Sequence, residues 1–275
     1  MFGGKRFCDI SPTTYKISTQ KEIIKRHLEN LASKEKIART HSSEKLPYLI
    51  SSQSSHMIKH GPGIDPKLQE NKAVNIRLCS APMNQMIIRP GETFSFWITS
   101  GNTTKRKGYM DGRIIETGEL KPGIGGGLCN LANTIHRMVL LSPMDVTEFH
   151  SHSDALNPDE GPRVPFATGT SVSYNYIDYR FKNNTDQNVQ LLLWTEGDNL
   201  YGELRSEREY PWTFELLEEG YHFQKEGDKY YRVSKIYRLT RSRETGEVVE
   251  KQLVLDNHSE VMYDPSYIPA ELLWD

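Results

Sequence analysis

SVSYNYIDYRFKNNTDQNVQLLLWTEGDNLYGELR, residues 171–205, is the stretch that decides the fold class. Val172, Tyr174 and Tyr176 alternate in one phase, and Ile177, Tyr179 and Phe181 in the other. Residues 171–182 therefore read as one long strand that changes face midway. Asn183-Asn184-Thr185-Asp186 supplies a hairpin turn, 189–195 the return strand, and Gly197-Asp198-Asn199 a second turn into 200–205. Short turns between alternating runs predict an antiparallel meander. Further strands are expected at 86–88, 94–97, 113–116, 144–150, 230–239 and 248–255.

Helical spacing appears in three places. Residues 15–39 place Ile23, Ile24, His27, Leu28, Leu31 and Ala32 on one face, which predicts a docked surface helix. A second helix runs from Pro66 to just before Pro82, and a third follows the glycine run described below. Residues 40–66, rich in Ser, His, Gly and Pro, read as a long loop. The expected fold class is α+β: an antiparallel sheet with one helix packed on it, a helical N-terminal region (1–66), a core (67–209) and a β-rich C-terminal extension (210–275).

The packed helix begins in GIGGGLCNLANTIH, residues 123–136. Four glycines in five positions free the backbone for close approach. Leu128, Leu131, Ala132, Ile135, Met138 and Val139 then share a helical face, which puts Cys129 at the first turn. Unpaired N–H groups and the positive end of the helix dipole gather there, favouring a thiolate and an anionic ligand. On the next strand Glu148-Phe149-His150-Ser151-His152-Ser153-Asp154 places His150 and His152 on one face.

Three chemistries fit these residues. In the first, Cys129 is a nucleophile, His150 or His152 its base, and Asp154 or Asp178 the group that orients the base, with glycine-loop N–H groups as an oxyanion hole. The reaction class would be amide hydrolysis or acyl transfer on a peptide or amino-acid substrate. In the second, Cys129, His150 and His152 hold a metal, completed by Asp154 or Cys8. In the third, Gly125, Gly126, Gly127 and Asn130 hold a carboxylate or phosphate without catalysis. Against all three stands a plain packing role, in which Cys129 is a small buried side chain where glycines let helix and sheet close up. His136, two turns along the helix, is expected to be structural.

The order RPGETFSFW (89–97), KGY (107–109), GIGGGLCN (123–130), FHSHSDA (149–155) and DYRFKNNTD (178–186) resembles the VanW family, over roughly residues 70–205. That family pattern has Gln after the cysteine, where this chain has the shorter Asn130. The resemblance implies an association with glycopeptide (vancomycin) resistance or cell-wall precursor metabolism, and a small-molecule or peptide partner such as a cell-wall precursor.

Composition narrows the remaining classes. Charged residues make up 25% of the chain and the formal net charge is -2, so neither nucleic acid nor a membrane is an expected partner. No apolar run is long enough to span a bilayer, and the two basic residues Lys5 and Arg6 are not followed by a signal-like apolar segment. Three scattered cysteines, Cys8, Cys79 and Cys129, make no disulfide framework, which fits reduced thiols and a cytoplasmic location. No cofactor is expected, and the oligomeric state stays open.

Overall fold

The computed structural model describes residues 7–58, 65–116, 119–151, 154–155 and 169–274. Helix α1 (Pro12–Ala32) starts with a capping box, in which Ser11 and Thr14 satisfy each other's backbone N–H, and Pro12 presets its first turn. Strands β1 (Lys36–Ile37), β2 (Thr40–His41) and β3 (Tyr48–His56) follow. Helix α2 (Pro66–Ser80), capped by Asp65, leads to β4 (Met86–Ile88), β5 (Glu92–Ser95) and the short α3 (Phe96–Ser100). A hairpin of β6 (Asp111–Glu116) and β7 (Glu119–Ile124) feeds the glycine loop and α4 (Cys129–Leu140). Then come β8 (Asp145–Glu148), β9 (Asp154–Ala155), β10 (Arg180–Lys182), β11 (Val189–Glu196) and β12 (Asn199–Ser206). The C-terminal region holds β13 (Trp212–Glu226), β14 (Lys229–Ser242), β15 (Val248–Val261) and β16 (Leu273–Trp274).

The class is α+β, with a helical N-terminus and a β-rich C-terminus as the sequence predicts. One sheet has the order β2-β4-β11-β12-β3, a second β1-β5-β10-β8, and a third β16-β13-β14-β15-β9. Strands β11 and β12 form the expected hairpin, in register from Val189↔Ser206 to Glu196↔Asn199. Helix α4 packs on β3 and β12. Its Leu131, Ala132, Ile135, Met138 and Val139 are buried with Leu191, Leu193, Leu200 and Leu204, and with the stacked pair Phe94 and Phe181.

Three local readings are corrected. Residues 171–179 are not strand: Ser173 and Ile177 close a tight turn with Asn175 at φ 56°, so the change of face is a reversal of the chain. Strand β10 then pairs with β5 and β8, in a different sheet from β11. Within 40–66, read as loop, β3 is a nine-residue edge strand paired along β12. Its serines bond to α4 rather than burying carbon: Ser51 donates to the Met138 carbonyl (2.9 Å), and Ser55 meets Asn130 (3.0 Å) and Thr134 (2.9 Å). A polar seam of this kind carries no hydrophobic alternation to read. The third correction concerns α1, which buries no residue at all and faces the core with Arg26 and Asn30 instead of its apolar stripe.

Candidate functional site

The glycine loop lies between α2 and β6. Two buried asparagines on α2 hold it: Asn71 donates to the Asp111 carbonyl (2.8 Å), and Asn75 donates to the carbonyls of Met110 and Gly126 (both 3.0 Å). The Asn75 amide oxygen accepts from the Met110 N–H (2.8 Å), so β6 and the loop are tied to one side chain. Gly126 and Gly112 then meet backbone to backbone. A Cβ on Gly126 would stand 2.2 Å from the Gly112 carbonyl carbon, well inside any tolerated contact. Gly127 is left-handed at φ 91°, and a Cβ there would meet Lys72 Cγ at 2.3 Å. Close packing therefore accounts for these glycines.

Cys129 is the first residue of α4, as the spacing predicts. Its surroundings differ from a thiolate site. The thiol donates to the Val172 carbonyl at 4.0 Å, and burial pushes its pKa up, against the smaller lowering effect of backbone hydrogen bonds. Desolvation sets the direction for this thiol, in a residue that is half-buried as a whole. Asn130 turns to β3, donating to the His56 carbonyl (3.2 Å) and accepting from Ser55. No side chain caps the start of α4.

His150 is half-exposed, and its Nε2 pairs with Glu148 Oε1 at 3.0 Å. It shares no hydrogen bond with Cys129; the two are linked through one segment. The Ser171 N–H donates to the His150 carbonyl (2.8 Å), and Val172 accepts from Cys129. Thr170 completes the contact by donating its N–H to Asn133 Oδ1 of α4 (2.6 Å). His152 lies outside the described residues. Asp154 is placed by its backbone in β9, alongside Glu260 of β15.

Sequence reasoning missed the role of Glu148, although period two along the strand puts it on the face of His150. Burial acts to raise its pKa, but hydrogen bonds from Arg26 and His150 and the charges of Arg26 and Arg180 outweigh it and hold the carboxyl below its ordinary value. Arg26 of α1 grips both carboxylate oxygens, one of them at 2.7 Å. Asp178, a candidate orienter of the histidine, is fully buried and committed elsewhere. It accepts from Ser95 Oγ (2.6 Å), the N–H groups of Trp97 (3.0 Å) and Tyr179 (2.9 Å), and Arg180 Nε (2.8 Å). Its role is to join α3 to β10. Among the described residues no cluster of His, Cys, Asp and Glu has the makings of a metal site.

A family model described as VanW like protein matches residues 71–205, the stretch that holds the glycine loop, Cys129, Glu148, His150 and Asp178. This stretch belongs to the VanW family. It is 26% identical over 226 residues to the vancomycin B-type resistance protein VanW of Enterococcus faecalis, covering 82% of each chain. It is also 32% identical over 120 residues to the uncharacterized protein YoaR of Bacillus subtilis, covering 44% of this chain and 38% of that one. No solved structure matches significantly. In VanW terms, RPGETFSFW forms β5 and α3, GIGGGLCN the loop and start of α4, and DYRFKNNTD the buried carboxylate with β10.

His136 is part of this VanW core but not of the site. It is buried, stacks on Phe149 (4.7 Å between centroids) and pairs Nδ1 with the Tyr179 hydroxyl (3.1 Å). Burial lowers its pKa from 6.5 to about 3. The unfolded chain therefore binds the extra proton first, and the fold loses stability as pH falls from 6.5 towards 3. The expected slope is about 1.4 kcal/mol per pH unit from this group. His136→Phe should remove that component from urea unfolding measured across the window; an unchanged slope would contradict the assignment.

Proposed function

We propose that this chain is a binding protein of the VanW type, holding an anionic group of a cell-wall precursor near the uncapped start of α4, without a thiol step. The observation that carries this reading is the state of Cys129. Its thiol is raised in pKa by burial and bonded to a backbone carbonyl, and among the described residues no imidazole shares its proton. Structural cysteines of this kind are inert. Three features support an anion at this place: the helix dipole, the lack of a side-chain cap, and a half-exposed His150 joined to Cys129 through Ser171 and Val172. The likeness to a vancomycin resistance protein over 82% of each chain supports the precursor class and a role in glycopeptide resistance.

A second reading, Cys129 as nucleophile, is favoured by one observation. Glu148, the last residue of β8, and His150 just beyond it form a carboxylate–imidazole pair, the orienting half of a triad, and His150 meets the same segment as Cys129. Titration calorimetry with a muramyl pentapeptide separates the two. The binding reading expects saturable binding that Cys129→Ser leaves within about threefold, since serine keeps size and a donor. Turnover of the peptide by the wild type and its loss in Cys129→Ser would establish the second reading instead.

A further inference from the structure

Helix α1 docks with its polar side. Arg26 bonds to Glu148, Asn30 accepts from Arg180 Nη2 (2.6 Å), and His27 meets Tyr174 edge-on at 6.5 Å between centroids. On a helix of 3.6 residues per turn, positions 17, 24, 28 and 31 fall in one narrow arc opposite Arg26. That arc is apolar and open: Ile17, Ile24, Leu28 and Leu31 are 53%, 59%, 62% and 83% exposed. Phe7 and Ile10, just ahead of the helix, are exposed as well.

The charges beside the stripe are of one sign. Lys16 borders it on one side, and Lys21 and Lys25 on the other, all exposed. Glu22 and Glu29 lie towards the docked side, where Glu29 pairs with Lys25 (3.8 Å) and Arg26 (4.0 Å). A stripe of Ile and Leu flanked by lysine on both sides matches an anionic bilayer surface, with the apolar side chains entering the acyl boundary and the ammonium groups reaching the headgroups. Among the described residues no helix is long and apolar enough to cross a membrane. We propose that the exposed face of α1 docks this protein on an anionic phospholipid membrane. This departs from the expectation drawn from the net charge of -2, which averages over the chain and does not register the lysines that flank this one stripe.

The test is co-sedimentation of the full chain with vesicles of equal parts phosphatidylglycerol and phosphatidylcholine, against vesicles of phosphatidylcholine alone, at low salt. The wild type should bind the anionic vesicles only. Lys16→Gln/Lys21→Gln/Lys25→Gln should weaken binding on the order of a hundredfold, at about 1 kcal/mol for each lysine. Ile24→Ser/Leu28→Ser, at exposed positions that leave packing untouched, should weaken it similarly; circular dichroism confirms that both variants fold. No binding by the wild type overturns the proposal, as does binding that neither variant reduces. Self-association that Ile24→Ser/Leu28→Ser abolishes, without vesicle binding, would assign the stripe to a second copy and overturn it equally.

Discussion

Gly126→Ala should cost about 4 kcal/mol or more, much of what holds a domain of this kind together. The added Cβ would lie 2.2 Å from the Gly112 carbonyl carbon and 2.7 Å from the Arg113 nitrogen, so backbone would have to move, not a side chain tip. Movement there breaks other bonds. The Gly126 carbonyl accepts from Asn75, and Asn75 also holds both backbone groups of Met110. Gly112→Ala should be comparably severe, since its Cβ would meet the Gly126 carbonyl oxygen at 2.5 Å. Gly197→Ala is the control: its φ is positive, at 54°, but nothing stands within 4 Å of its Cβ, and about 1 kcal/mol is expected. Urea unfolding followed by circular dichroism measures all three. Equal costs at positions 126 and 197 would mean that the loop and β6 do not pack as described.

Asp178→Asn should cost about 3–5 kcal/mol, because it leaves the Arg180 guanidinium short of its buried counter-charge. The carboxylate takes four donors, and an amide presents N–H groups where two of them point. Part of the loss is local, since Ser95, which donates to Asp178, also caps α3 through the Ile98 N–H (3.1 Å). Arg180 keeps Glu35 (2.7 Å) and Asn30 on α1, so the variant should also loosen that helix. Adding Arg180→Met to Asp178→Asn should cost less than the sum of the two single changes, as charge and counter-charge leave together. Additive costs in this cycle would contradict the pairing.

The parts of the fold that were legible are those where side-chain period and burial coincide. Helix α4 is one, with its apolar face under the sheet, and the β11–β12 hairpin another, with alternating burial and a two-residue turn. Strand β3 was hidden because its inward serines satisfy α4 by hydrogen bonds, and polar partners leave no periodic signature. The tyrosines of 171–179 misled for the opposite reason. Tyr174 packs on Trp97, and Tyr179 is buried against His136, without either lying in a long strand. Helix α1 was placed correctly but turned the wrong way, since amphipathicity locates an apolar face and does not say what covers it.

At the site, the first-turn position of Cys129 followed from spacing, while its protonation could not. The helix start and burial act in opposite directions on a thiol, and only the packed neighbours decide between them. The glycine run raised a similar choice. Open backbone for a ligand and close backbone for packing call for the same residue, and Gly112, 14 residues before Gly126, tips it towards packing. Glu148 needed the knowledge that Arg26, far away in sequence, reaches it.

The most direct measurement is the rate of iodoacetamide labelling at Cys129 across pH, read by peptide mass spectrometry and compared with Cys79 in the same sample. Cys79 is buried, with its pKa pushed up to about 12, and serves as the internal reference for a packed thiol. The binding reading predicts that Cys129 stays protected through neutral pH, as Cys79 does, and that both label on unfolding in urea. Fast labelling of Cys129 alone at mildly acidic pH, slowed by His150→Ala, would contradict it and establish an activated thiol.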